Sequence, residues 1–160
     1  MLRMWSHSVS TLMPGIALGT ACISNISLSD YTKELLTLYC AVKFKCTYTW
    51  ARHVNGAKAQ GVTDSQLQAL KDGIIQDRDV WDEQSVAFLA FLDETIDCPE
   101  ASNETFNKAK KWFSDREMVE IVTAQGFYYM WSRIATTFQV EVDEGLRGDY
   151  EKAKNWAKTK

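Results

Sequence analysis

The chain has 160 residues, 46% of them hydrophobic and 12% aromatic, enough apolar material for the core of one domain spanning 1–160. Its 18 Lys and Arg against 21 Asp and Glu leave a net charge of -3, which gives no general attraction to nucleic acid or to an anionic membrane. Cys22, Cys40, Cys46 and Cys98 are too scattered for a zinc finger or a small disulfide framework, and read as the reduced thiols of a cytoplasmic protein.

The first element is a loosely amphipathic helix over about residues 1–26. MLRMW followed by STLMPGIALGTACIS also has the order of a secretory leader, but Ser6, His7, Ser8 and Ser10 interrupt it and Pro14-Gly15 sits inside it. No uninterrupted apolar run in the chain reaches the ~20 residues that span a bilayer. Between Asp30 and Gln60, Leu35, Leu38, Val42, Cys46, Trp50, Val54 and Ala57 recur at helical steps of three and four, and Gly61 closes the run. The series Thr47, Tyr48, Thr49 is a poor helix former and allows a break there. Thr63 with Gln66, and Ser114 with Glu117, have the capping-box form and predict helix starts. A helix from Asp82 to Ile96 is closed by Pro99. Two more run from Asn103 to Phe113 and from Asp115 to about Val140. The tail from Gly145, about 145–160, reads as a short amphipathic helix carrying Trp156, its lysines in KAKNWAKTK at a solvated end. There is no credible hairpin and no clear internal repeat. The expectation is an all-α domain of about six to seven helices.

Three segments carry a resemblance: LSDYTKELLTL from Leu28, CTYTWARHVNGAKAQGVTDSQLQAL from Cys46, and DREMVEIVTAQGFYYMWSRI from Asp115. In order and spacing, from about Leu28 to Val140, the chain resembles the carboxymuconolactone decarboxylase family, whose helical fold is shared with alkylhydroperoxidase D. In the peroxidase branch a glutamate, a C-x-x-C pair and a histidine form the redox centre. Glu34, Cys46 and His53 stand in those places, but Thr49 replaces the second cysteine. A hydroxyl cannot close the disulfide on which a dithiol cycle turns. Cys46 alone would need an external reductant, and a small buried apolar residue is the simpler reading of it.

The decarboxylase branch, as the resemblance implies, removes carbon dioxide from a small unsaturated lactone acid and reprotonates the carbanion left behind. That chemistry needs a desolvating pocket, donors at the oxygen gaining charge, and a positioned acid. His53 is the candidate acid and Glu34 the carboxylate that orients it, although each also fits a structural role, as a core histidine or a charge near a helix N-terminus. Cys46, Tyr48, Thr49 and Trp50 are candidate pocket residues. Tyr129 and Arg133, four apart on the last long helix beside Tyr128, are candidates for holding a substrate carboxylate, unless Arg133 pairs with Glu120 or another acid. His7 can reach a pocket of its own or a neighbouring subunit, or stay solvated, and Arg52 reads as a surface or interface charge.

Two histidines far apart with one nearby thiol fall short of the three or four ligands of a zinc site. No glycine-rich phosphate loop or nucleotide fingerprint is present, so no metal or cofactor is expected. The resemblance implies a homo-oligomer, a trimer or hexamer; Trp5, Trp81, Trp112, Trp131 and Trp156, spread along the chain, are compatible with one. The leading expectation is a cofactor-independent lyase decarboxylating a small, unsaturated, oxygen-rich acid. The alternatives are an isomerase, dehydratase or cyclase of secondary metabolism acting on a polyketide-like or aromatic metabolite, a thiol peroxidase, and a non-catalytic oligomeric binding protein.

Overall fold

Side-chain caps at Ser29, Thr63, Asp82, Ser102 and Ser114 fix where helices start in this chain. The computed structural model describes residues 1–158, with side chains through Asn155. Its elements are α1 (Leu2–Trp5), α2 (Val9–Thr20) running into a π-helical turn (Ala21–Asn25), α3 (Asp30–Lys43), α4 (Thr47–Ala59) and α5 (Asp64–Asp72). They continue with α6 (Glu83–Asp97), α7 (Asn103–Ala109), α8 (Asp115–Thr137), a 3-10 turn (Glu144–Leu146) and α9 (Arg147–Lys158). Both expected capping boxes form: Thr63 and Gln66 start α5, and Ser114 and Glu117 start α8.

Nine α-helices among the described residues exceed the expected six to seven because two expected helices divide. The segment over 1–26 breaks at Ser6–Ser8 into α1 and α2. The run from Asp30 to Gln60 breaks at Phe44–Cys46, just before the weak Thr47–Thr49 series. There Lys45 adopts a left-handed φ of 54°, and the Cys46 and Lys45 N–H groups donate back to the Ala41 and Val42 carbonyls. This is a Schellman closure without its usual glycine. Gln139, at φ 51°, closes α8 the same way, with Val140 donating to Ala135, so that helix ends at Thr137 and not near Val140. Gly61, expected as a closing residue, has φ 96° and ends α4. Helix α7 stops at Ala109, short of Phe113.

α3 is the central element. Leu35 to Ala41 are all buried, because α4, α5, α6 and α8 pack around it. Leu35, Leu38, Leu70, Leu89, Leu92 and Ile121 form the heart of this core, each at most 1% exposed. A smaller cluster at the start of α4 joins Cys46, Tyr48 and Ala51 to Ala135 and Val142. Trp5 and Trp81 are buried, Trp131 is half-buried and Trp112 is exposed, while the Trp156 side chain lies outside the described residues. No described helix is long and apolar enough to cross a membrane.

The segment after the π-helical turn is tied to α8 by Glu120. One carboxylate oxygen accepts from the Ser27 N–H at 2.7 Å and the Ser27 hydroxyl at 2.6 Å, and the other from Arg116 Nε at 2.8 Å. Burial pushes the Glu120 carboxyl up, but the Ser27 hydroxyl, Arg116 and the Ser27 N–H outweigh it and hold it below the usual carboxylate range. A carboxyl depressed in the folded state stabilises at neutral pH, and that contribution is lost as pH falls through its folded value, below the ordinary carboxylate range. Glu120→Gln should therefore cost about 1–3 kcal/mol at pH 7. In urea titrations across pH 2–7 the difference from wild type should shrink toward the acid end, and a constant difference would contradict the assignment.

Candidate active site

The α3–α4 hairpin decides the geometry. The tight closure at Lys45 turns α4 back along α3, so Glu34, well before the turn, comes opposite His53, well after it. His53 Nδ1 lies 3.0 Å from Glu34 Oε2, with the two side chains 24% and 22% exposed. Gly56, one turn beyond His53, leaves room for the carboxylate: a Cβ there would stand 3.3 Å from Glu34 Oε1. An ionised carboxylate only accepts, so the hydrogen on Nδ1 is directed to Glu34 and Nε2 is the nitrogen available for chemistry. Nε2 has no protein hydrogen-bond partner among the described residues.

Tyr128 of α8 packs edge-on against the imidazole, ring centres 6.0 Å apart at 88°. Burial pushes its phenol well up, against a smaller opposing effect of the Thr37 hydroxyl, so it stays neutral at physiological pH. Two cavities meet at His53 and Tyr128. The smaller, about 250 Å³, carries charged groups at its border, which includes Asp30, Lys33, Glu34, Thr37 and Gln60. The larger, about 380 Å³, is bordered by Thr49, Arg52, Ile16, Phe127 and Trp131. Imidazole and carboxylate thus form a hydrogen-bonded unit that can give or take a proton at Nε2 beside a space of small-molecule size.

Thr49 precedes His53 by one turn, is 1% exposed, and borders the larger cavity. Cys46 does not reach that space: it is fully buried, its Sγ 3.2 Å from Thr49 Oγ1. The other expected pocket residues stand elsewhere. Tyr48 packs with Ala135 and Val142 and borders a separate cavity between α4, α8 and α9. Trp50 is core, with Lys71 Nζ 4.8 Å over its ring. Tyr129 and Arg133 lie on the outer face of α8, the guanidinium 5.1 Å over the phenol ring and Tyr129 edge-on to Phe44. At about 100° per residue, a helix that turns Tyr128 inward turns its neighbour Tyr129 away. Glu120, a possible partner of Arg133, is instead taken by Arg116 and Ser27. His7 is exposed in the turn between α1 and α2 and borders neither cavity at His53.

The wall supplied by α2 and α8 was not legible beforehand. Gly15 and Gly19, one turn apart, let α2 approach closely. A Cβ at Gly19 would lie 2.7 Å from the Phe127 ring, and one at Gly15 would collide with Trp5. The Gly-x-x-x-Gly spacing was the available signal, but it does not say what the notch faces. Arg52 is drawn to the cavity mouth, with Nη1 3.0 Å from Asp143. Among the described residues, no three His, Cys, Asp or Glu gather as metal ligands.

Residues 16–76 match the model of the carboxymuconolactone decarboxylase family. No curated protein sequence matches the chain. Among solved structures, a protein of unknown function from Agrobacterium tumefaciens, provisionally named as the antioxidant defence protein AhpD, superimposes with a TM-score of 0.76 at 24% identity, over 86% of this chain and 94% of that one. An uncharacterized peroxidase-related protein from Silicibacter sp. TM1040 gives 0.76 at 18% identity, over 93% and 78%. The alkylhydroperoxidase AhpD core of an uncharacterized peroxidase-related protein from Ralstonia eutropha JMP134 gives 0.75 at 14% identity, over 88% and 74%. The chain has the carboxymuconolactone decarboxylase and AhpD-like fold, and the family match falls on the stretch that holds Glu34 and His53.

Proposed function

We propose that the protein is a cofactor-independent lyase of the carboxymuconolactone decarboxylase type, with His53 as proton donor and Glu34 as the group that holds it. The observation that carries this reading is the His53–Glu34 pair at 3.0 Å, with His53 bordering a cavity of about 380 Å³. In the step envisaged, the bond to the leaving carboxylate breaks, its electron pair delocalises into the unsaturated system, and carbon dioxide departs. The proton on Nε2 then closes the new C–H bond, and the imidazole is reprotonated from solvent. The apolar wall of Ile16, Phe127 and Trp131 keeps water from the carbanion, so that the proton comes from His53. Carbon dioxide release from a panel of unsaturated lactone acids tests the reading, and release unaffected by His53→Ala would sink it.

The same apolar wall favours a second reading, in which the pair moves a proton in an isomerisation, dehydration or ring closure on an aromatic or polyketide-like compound. Product analysis by mass separates the two, since only decarboxylation loses 44 Da, the mass of carbon dioxide. A homo-oligomer belongs to the proposal as well. Exposed Val9, Met13 and Leu18 on α2, and Val119 and Val122 on α8, are apolar surface that a trimer or hexamer would cover, which light scattering on the purified protein would count.

A dithiol peroxidase cycle is outside the proposal because Thr49 stands where the second sulfur would be. Thr49→Cys tests this directly. With Sγ of Cys46 already 3.2 Å from Oγ1 of Thr49, the variant should lose two thiols to an intramolecular disulfide on mild oxidation, seen as a mass 2 Da lower. Wild type should keep its Cys46 thiol under the same treatment and consume no hydroperoxide.

A further inference from the structure

The two cavities that share His53 differ in charge. The smaller has Asp30 and Glu34 at its border, together with Lys33. No Asp or Glu borders the larger among the described residues, and its only ionisable cations are Arg52 and His53, neighbours on α4. The rest of its lining is apolar apart from the Thr49 and Thr20 hydroxyls and the phenol of Tyr128. Phe127 and Trp131 present tilted rings with centres 5.7 Å apart, and the absence of a Cβ at Gly19 lets the Phe127 ring lie close against α2.

We propose that this larger cavity takes an amphipathic monoanion, a flat apolar or aromatic body lying against Ile16, Phe127 and Trp131 with its single acid group held by Arg52. Arg52 can take that role because its present partner, Asp143, is 83% exposed and the pair sits in solvent, where such pairs are weak and readily exchanged. A guanidinium presents several donors in a planar fork, which matches a carboxylate. A second charged group lying against Ile16, Phe127 and Trp131, away from Arg52 and His53, would have no partner there, and burying an unpaired charge is strongly unfavourable. A small polar dianion therefore fits this wall poorly. The inference rests on the lyase reading only for which end of the ligand faces His53.

Calorimetric titration with 2-naphthoate, its neutral analogue 2-naphthylmethanol and the polar dianion cis,cis-muconate tests this class. Wild type should bind 2-naphthoate roughly tenfold or more tightly than muconate. Arg52→Gln, at an exposed position, should weaken 2-naphthoate by roughly tenfold, the loss of one charge-assisted pair, and leave 2-naphthylmethanol within about twofold. Thr20→Trp, which adds a ring to the cavity border, should weaken both naphthyl compounds. No 2-naphthoate binding, equal or tighter binding of muconate, or an equal response of acid and alcohol to Arg52→Gln would each overturn the proposal. His53→Ala separates this idea from the lyase reading. If that variant still turns over substrate, the lyase reading fails while the binding results stand; if it is inactive but wild type ignores 2-naphthoate, only the ligand class fails.

Discussion

His53→Ala should reduce turnover by about 10²- to 10⁴-fold, the range set by a positioned general acid, with the helical circular dichroism unchanged. The side chain is about one-quarter exposed and, among the described residues, its one protein hydrogen bond goes to Glu34, so its removal leaves no buried donor unsatisfied. The loss should fall on kcat, since the transferred proton matters in the transition state and not in ground-state binding. Glu34→Gln should reduce kcat less, because the amide oxygen can still accept from Nδ1 and hold the ring. Measuring kcat for both variants on one substrate decides the matter. Equal activity of His53→Ala and wild type would place the chemistry elsewhere, and a larger loss in Glu34→Gln than in His53→Ala would make the carboxylate the reacting group.

Tyr128→Ala should be the most damaging change to stability near the site, at about 3–5 kcal/mol, because it deletes a buried aromatic ring at the junction of α3, α4 and α8. That ring packs edge-on against both His53 and Phe127, so its loss opens a void beside the imidazole and loosens the wall of the larger cavity. Tyr128→Phe keeps the ring and forfeits the contact with the Thr37 hydroxyl, which should cost only about 1 kcal/mol. Urea unfolding gives both values. If the two variants were equally destabilised, the hydroxyl would be the anchor and the edge-on packing secondary. In the Phe variant, kcat should stay close to wild type, since the ring and not the oxygen holds His53 in place.

How far the sequence could be read depended on whether each feature had a local cause. The starts of α5 and α8 were legible because a capping box is a contact among residues three apart, and the end of α4 because Gly61 adopts a backbone conformation that glycine tolerates best. The ends of α3 and α8 were harder. Lys45 and Gln139 take the same left-handed conformation with ordinary side chains, held there by closures involving buried Ala41 and Ala135. One break was anticipated from the weak Thr47–Thr49 series, while the early end of α8 was not.

For the candidate site, the sequence alone determined which groups are present: one glutamate, one histidine, and a threonine where a resolving cysteine would have to stand, since chemical identity needs no coordinates. Only the tertiary structure decided which groups meet. The pairing of Glu34 with His53 depends on how α3 and α4 turn at Lys45, and the apolar wall depends on α2 docking against Phe127 of α8 at Gly19 while Gly15 makes room for Trp5 of α1. The same packing sends Tyr48, Trp50, Tyr129 and Arg133 to other faces and draws Arg52 to the cavity mouth. Helix phase limits where a side chain can point, but the neighbour it meets comes from a distant part of the chain, and no short-range pattern encodes that choice.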